Sequence, residues 1–175
     1  MDSGQALIVG AGIGGLTAAL YLKQLGFFVQ VYERTDSANS DGAGIQLSPN
    51  ATRVLHQVGL VDALASISST PDSIDVQHWR TGGRVTTKQL TYGVEADQSS
   101  FPYYHVHRRD LLACLTQAAT YASIPIHRGK HIDDVGVTET HAWISGPNTH
   151  EKASLIVGAD GIHSSVRRSL FGPDR

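Results

Sequence analysis

A glycine-rich stretch near the N-terminus has the spacing of a phosphate-binding loop. Gly10, Gly12 and Gly15 follow a short apolar run and precede a segment with helical spacing. In such a loop, the first glycine permits a tight turn, the second lets a pyrophosphate approach the backbone, and the third lets helix and strand pack closely. N–H groups at the start of the helix then face the phosphates. The predicted binding residues of the loop are Gly10, Gly12, Ile13, Gly14 and Gly15.

An acidic residue follows the loop at the distance that a dinucleotide site requires. Glu33 ends the second apolar run, where a carboxylate can accept hydrogen bonds from ribose hydroxyls. Its charge also disfavours a 2′-phosphate at this position, because two anions repel. Arg34 is predicted to bind beside it. These residues favour dinucleotide binding over a turn that merely packs tightly, but they leave both FAD and NAD(H) open.

The elements around these residues predict a βαβ unit of the usual size. A buried strand is expected over 5–9, a helix over 14–25 ending near Gly26, and a second strand over 27–32. Towards the C-terminus, 126–146 is typical of two or three strands, and a buried strand follows at 155–157. The predicted fold class is therefore α/β and Rossmann-like.

The middle of the chain is β-rich. Segments 74–79 and 84–90 predict a hairpin, because a turn sequence containing Gly82 and Gly83 separates them. We interpret 70–105 as a β-rich insertion that points toward a substrate region. Trp79 lies on the first predicted strand and is expected in a core.

Three further stretches carry a family resemblance over essentially the whole chain: 42–51, 107–111 and 158–167. With the glycine loop, they resemble the class A flavoprotein monooxygenases, the group of salicylate and para-hydroxybenzoate hydroxylases. The most specific stretch is G-A-D-G-x-x-S-x-V-R, which begins at Gly158. The resemblance implies that residues 1–175 are a FAD-binding domain, corresponding to the N-terminal portion of that family. It also implies that Glu33 holds the adenosine ribose of FAD.

The same resemblance gives roles to residues outside the glycine loop. Ala43 and Gly44 would lie beside the flavin, and Arg108 would contact the ribityl and pyrophosphate groups. Arg109 occupies the variable position of the family pattern, so Arg108 is the predicted contact. Asp160 belongs to a motif associated with both FAD and pyridine-nucleotide use. From the residues alone, Arg108 could be a surface arginine, and Asp160 could serve a turn and helix entry.

The implied activity is NADH- or NADPH-dependent hydroxylation of a small aromatic or phenolic compound. Because FAD carries this chemistry, no catalytic residue is predicted. Family members continue into a second half with a Gly-Asp motif and substrate-covering elements, which this sequence lacks. We therefore expect a truncated domain with doubtful activity alone, which associates with itself or a partner chain through an exposed face. The alternatives are an inactive FAD-binding or interaction module and an NAD-dependent dehydrogenase.

Composition and charge limit the partners, the location and the metal content that we expect for this chain. The net charge is -2 and no run of basic residues is present, which disfavours nucleic acid as a partner. No apolar run is long enough to span a membrane. The single cysteine, Cys114, cannot form an intrachain disulfide, which favours a reducing, cytoplasmic location. His105 and His107 lack further ligands at metal-binding spacing, so no metal is expected.

Overall fold

The computed structural model describes residues 4–36, 43–90 and 101–172. The chain forms two compact units, one of Met1–Asp41 with Leu112–Arg175 and one of Gly42–Leu111. In chain order the elements are β1 (Gln5–Val9), α1 (Ile13–Gln24), β2 (Phe28–Tyr32), β3 (Gly44–Leu47), α2 (Pro49–Gln57), α3 (Val61–Ile67), β4 (Ser68–Ser69), β5 (Ser73–Gln77), β6 (Arg84–Gln89), β7 (Tyr104–His107), α4 (Arg108–Tyr121), β8 (Ile126–His127), β9 (Asp134–Val137), β10 (Ala142–Gly146), β11 (Thr149–Ala153), β12 (Leu155–Gly158) and α5 (Ser165–Phe171).

A parallel sheet organises the first unit, with its strands in the order β12-β1-β2-β8. Strand β1 is its centre, and Ala6, Leu7 and Ile8 have no exposed surface, as expected for a strand covered on both faces. Val9 pairs with both Tyr32 and Gly158. The residues that directly follow β1, β2 and β12 therefore lie together at one edge of the sheet.

An antiparallel sheet completes this unit, in the order β11-β10-β9. The sequence predicts two or three strands over 126–146, and three are present, but β11 was not predicted. Residues of both sheets and of α5 share one apolar cluster. Its members are Leu7, Val9, Tyr32, Ile132, Val135, Ile144, Ala153 and Val166.

Gly15 sets how closely α1 packs on the sheet. A Cβ atom at Gly15 would overlap the carbonyl oxygen of Gly10 and lie 3.2 Å from the Cβ of Ala159. Because backbone cannot yield as a flexible side chain does, we expect Gly15→Ala to lower the free energy of unfolding by about 2 kcal/mol. Gly14→Ala is the matched control: its Cβ meets no atom within 4 Å, and alanine favours the helix. Urea denaturation would contradict this account if both variants were equally stable.

The second unit contains an antiparallel sheet of β3, β7 and β4 and the separate hairpin of β5 and β6. The predicted hairpin is confirmed, but the prediction that Trp79 is in a core is wrong. Strand β5 ends at Gln77, so Trp79 lies in the turn and is 82% exposed. The Arg80 guanidinium lies 4.8 Å from the centre of its ring. The role of 70–105 as an insertion stays a prediction, and 91–100 is outside the described residues.

None of the helices in the described part of the chain combines the length and the apolar character needed to cross a membrane.

Candidate functional site

A cleft of about 220 Å³ opens at the carboxyl edge of the parallel sheet. It is formed within the first unit by the glycine loop, the end of β2, the segment before β9 and the segment between β12 and α5. Its lining comprises Val9, Gly10, Gly12, Tyr32, Glu33, Arg34, Lys130, His131, Ile132, Ala159, Asp160, Gly161, His163, Ser165 and Arg168. The topology thus brings five predicted site residues, Gly10, Gly12, Glu33, Arg34 and Asp160, to one cleft.

The glycine loop leaves open space beside the start of α1. Gly10 has φ 105°, its N–H donates to the carbonyl of Tyr32 at 2.7 Å, and a Cβ there would overlap the carbonyl of Ala159. By contrast, a Cβ at Gly12 would meet no atom within 4 Å. Gly12 is also the N-cap of α1 and makes no side-chain capping bond. The first N–H groups of the helix can therefore receive an anion.

Hydrogen bonds hold the Glu33 carboxylate in place. Its Oε2 accepts the N–H of Ala11 at 2.7 Å, which ties the end of β2 to the glycine loop. Its Oε1 accepts both the N–H and the hydroxyl of Thr35, each at 2.9 Å. Burial alone would raise the pKa of Glu33, but the hydrogen bonds from Thr35 and Ala11 outweigh it and lower that pKa. Glu33 is therefore an anion at neutral pH.

The Asp160 carboxylate binds the start of α5. It accepts the Ser164 hydroxyl at 2.6 Å and the N–H groups of Ser165 and Val166 at 2.6 and 3.2 Å. Ser164 in turn caps the helix, because its Oγ accepts the N–H of Arg167 at 2.9 Å. The side chain of Asp160 thus serves helix entry, while the residue also lines the cleft. Burial would raise the pKa of Asp160, but the hydrogen bonds from Ser164, Val166 and Ser165 lower it overall.

Asp160→Asn tests this helix-entry role. We expect the free energy of unfolding to fall by about 2 kcal/mol at neutral pH, because an amide cannot accept at both oxygen positions. A carboxylate with a lowered native pKa stabilises the fold above its unfolded pKa and loses that effect as pH falls. The difference between wild type and variant should therefore shrink below pH 3.8, the ordinary value. Thermal unfolding from pH 7 to pH 3 measures it, and a constant difference across that range would contradict this role.

The second unit brings together three further residues predicted to contact FAD, namely Ala43, Gly44 and Arg108. Gly44 pairs with His107 across β3 and β7, and the N–H of Arg108 donates to the carbonyl of Ala43 at 3.1 Å. Arg108 is half-buried, whereas Arg109 is exposed and lies 3.6 Å from Asp110. The two arginines are therefore not equivalent, and the environment of Arg109 is that of a surface ion pair.

Several cleft residues escaped the sequence prediction. Lys130, His131 and Ile132 reach the cleft because β8 joins the sheet beside β2, and the Lys130 N–H donates to the Glu33 carbonyl at 2.9 Å. His163 lies just before α5, and Arg168 lies within it. No local sequence signal marks the first group, since a strand of two residues has no readable pattern. His163 and Arg168 did have a sequence signal, because they closely follow the G-A-D-G stretch that begins at Gly158.

A family profile described as "FAD binding domain" matches residues 3–172. The chain belongs to this FAD-binding domain family. The predicted α/β, Rossmann-like fold, the predicted family and FAD as the cofactor are confirmed. The dehydrogenase alternative is set aside, since the matched family binds FAD.

The relatives of this FAD-binding domain are monooxygenases. The chain is 37% identical to 3-amino-4-hydroxybenzoate 2-monooxygenase of Streptomyces cremeus, over 93% of the chain and 41% of that protein. It is 36% identical to 6-hydroxynicotinate 3-monooxygenase of Pseudomonas fluorescens, over 99% of the chain and 44% of that protein. The chain therefore spans about two fifths of the length of these curated relatives.

Solved structures show the same fold. The tetrameric form of 2-methyl-3-hydroxypyridine-5-carboxylic acid oxygenase matches with a TM-score of 0.82 and 27% identity, over 98% of this chain and 43% of that chain. CtdE, crystallised with FAD and a substrate, matches with a TM-score of 0.84 and 25% identity, over 98% of this chain and 41% of that chain.

Proposed function

We propose that this domain holds FAD in the first-unit cleft and serves an NADH- or NADPH-dependent monooxygenase that hydroxylates a small aromatic compound. The observation that carries the proposal is the arrangement of the cleft. The uncapped start of α1 beside Gly12 and the ionised carboxylate of Glu33 line the same space. One is suited to a diphosphate and the other to the hydroxyls of a ribose, and both belong to the adenosine half of FAD.

Each group in the cleft, or in the turn of α1 beside it, has a separate role in this proposal. The N–H groups of Ile13, Gly14 and Gly15 donate hydrogen bonds to the pyrophosphate, and the Glu33 carboxylate accepts a hydrogen bond from a hydroxyl of the adenosine ribose. Arg34 lines the cleft beside Glu33 and offers a cation to the nucleotide. When bound, FAD would supply the redox chemistry: the reduced nicotinamide and a proton provide two electrons and hydrogen, one oxygen atom of O₂ becomes a hydroxyl group on the aromatic ring, and the other leaves as water.

In the second unit, we propose that Ala43, Gly44 and Arg108 also contact FAD. The sequence resemblance supports this role, as does the local geometry. A Cβ at Gly44 would meet no atom within 4 Å, so a ligand can approach the backbone there. Arg108 stands at the first position of α4, where a cation is unfavourable to the helix dipole and a bound phosphate would compensate.

The names of the relatives support a substrate class. The two monooxygenases described above act on 3-amino-4-hydroxybenzoate and 6-hydroxynicotinate. Both compounds carry a hydroxyl and a carboxylate on a six-membered aromatic ring. We propose that the substrate is a hydroxylated aromatic carboxylic acid of this kind.

Titration of the purified chain with FAD, and separately with NAD⁺, tests the cofactor. We expect a flavin absorption spectrum that remains with the protein after dialysis, and no competition by equimolar NAD⁺. Failure of folded protein to bind FAD at high micromolar concentration would overturn the proposal.

The monooxygenase role is tested by NADH and NADPH oxidation with a panel of hydroxybenzoates and hydroxynicotinates. The C-terminal part of a relative is supplied in trans in one arm, where we expect hydroxylated product. FAD binding without product in either arm would favour the inactive FAD-binding module.

Self-association and a cytoplasmic location remain predictions. Val137 and Phe171 are 73% and 82% exposed, which supports an apolar surface available for a second copy or a partner chain. Size-exclusion chromatography with light scattering at several concentrations distinguishes a monomer from an associated form.

A further inference from the structure

We infer that Thr35 is a positioning residue for FAD recognition, which fixes the Glu33 carboxylate so that Oε2 is presented to the adenosine ribose. The inference rests on the proposed ribose contact of Glu33. It assigns a specificity role to a residue that the glycine-loop pattern does not include.

The two carboxylate oxygens of Glu33 have different hydrogen-bond donors. Both hydrogen bonds that Thr35 donates, from its N–H and from its hydroxyl, end on Oε1 at 2.9 Å. Oε2 accepts the Ala11 N–H at 2.7 Å. A carboxylate has about four acceptor positions, and three are filled by these bonds. The remaining position is on Oε2, the oxygen that faces the glycine loop.

Thr35 acts on a ligand in the cleft indirectly, through the Glu33 carboxylate that it holds. Glu33 and Arg34 line the cleft, but Thr35 is not among the lining residues. A glutamate side chain has three rotatable bonds, so an untethered Glu33 would lose conformational entropy on binding ribose. Two donors on one oxygen, together with the Ala11 bond on the other, fix the carboxylate plane before the ligand arrives. Such preorganisation raises affinity without adding a contact to the ligand.

Thr35→Val removes the hydroxyl donor but keeps the size and branching of the side chain and the backbone N–H that donates to Oε1 of Glu33. We expect its dissociation constant for FAD to rise about fivefold, the loss of one hydrogen bond to a charged group that is partly screened by solvent. Thr35→Ser restores a hydroxyl and should bind FAD within about twofold of wild type. Thr140→Val, an exposed threonine of the same unit, is the control for an indirect effect and should change nothing.

A FAD analogue with a 2′,3′-dideoxyadenosine ribose separates positioning from a general structural effect. Wild type should bind this analogue more weakly than FAD, and Thr35→Val should bind it as wild type does. Isothermal titration calorimetry measures all four proteins with both ligands. If wild type does not distinguish the two ligands, the proposed ribose contact of Glu33 fails. If wild type distinguishes them and Thr35→Val does so equally well, the ribose contact stands and the role of Thr35 is refuted. Equal losses for both ligands would also refute it, since they indicate a structural role.

Discussion

Replacing Glu33 with glutamine is expected to raise the dissociation constant for FAD about thirtyfold, because a charge-assisted hydrogen bond to ribose becomes a neutral one. The variant keeps the shape of the side chain and one oxygen acceptor. The amide N–H₂ group, however, must face either the Ala11 N–H or the donors of Thr35, all of which also donate. Both the charge and the fixed orientation are therefore lost. Isothermal titration with FAD measures the change.

The pH dependence of the wild type gives a second test of the same carboxylate. The pKa of Glu33 lies below its ordinary value of 4.5, so the carboxylate stays ionised as pH falls from 8 to 6. FAD affinity should be flat over that range and decline only when pH falls through the lowered pKa. Glu33→Gln resembles the protonated form and should lack that decline. Glu139→Gln, an exposed position in the same unit, is the control for a change in net charge. An unchanged affinity in Glu33→Gln would remove the basis of the proposed ribose contact.

The first βαβ unit was predictable because its signals are local and agree with one another. Strand β1 has its predicted bounds, and α1 begins one residue earlier than predicted. At the end of α1, Gly26 takes φ 89° and Phe27 donates to the carbonyl of Leu22, which is the expected glycine-terminated helix end. Apolar runs, glycines and helical spacing each report on neighbouring residues, so the sequence alone contains them.

The other walls of the cleft depend on contacts between distant residues. Lys130 reaches Glu33 because β8 pairs with β2 across nearly one hundred residues of chain, and the β8 strand has only two residues. Thr35 is near Glu33 in sequence, but the bond to Ala11 that completes the carboxylate environment spans 22 residues. For Asp160, both readings left open by the sequence apply at once: its carboxylate serves helix entry, and the residue lines the cleft. Local sequence patterns therefore predicted which residues belong to the site. They did not predict the hydrogen bonds that the side chains of those residues make.

Gly12→Ala should separate ligand binding from folding. A Cβ at Gly12 meets no protein atom within 4 Å, and the residue has φ -76°, which any amino acid adopts. The variant should therefore unfold within about 0.5 kcal/mol of wild type, as expected for a substitution that creates no clash. The same methyl group occupies the space that the proposal gives to the pyrophosphate. Moving the phosphates away weakens their hydrogen bonds to the first N–H groups of α1, so the dissociation constant for FAD should rise about fiftyfold.

The contrast among three glycines makes this prediction specific to the phosphate position. Gly15→Ala should lose stability, because its methyl group meets the Gly10 carbonyl, and Gly14→Ala should lose none, because its methyl group faces open space. If the open space beside Gly12 had no ligand, Gly12→Ala would match wild type in both stability and FAD titration. Normal FAD affinity in a stable Gly12→Ala protein would therefore place the pyrophosphate elsewhere. A large loss of affinity at unchanged stability is the result that only a close approach of the ligand to the backbone explains.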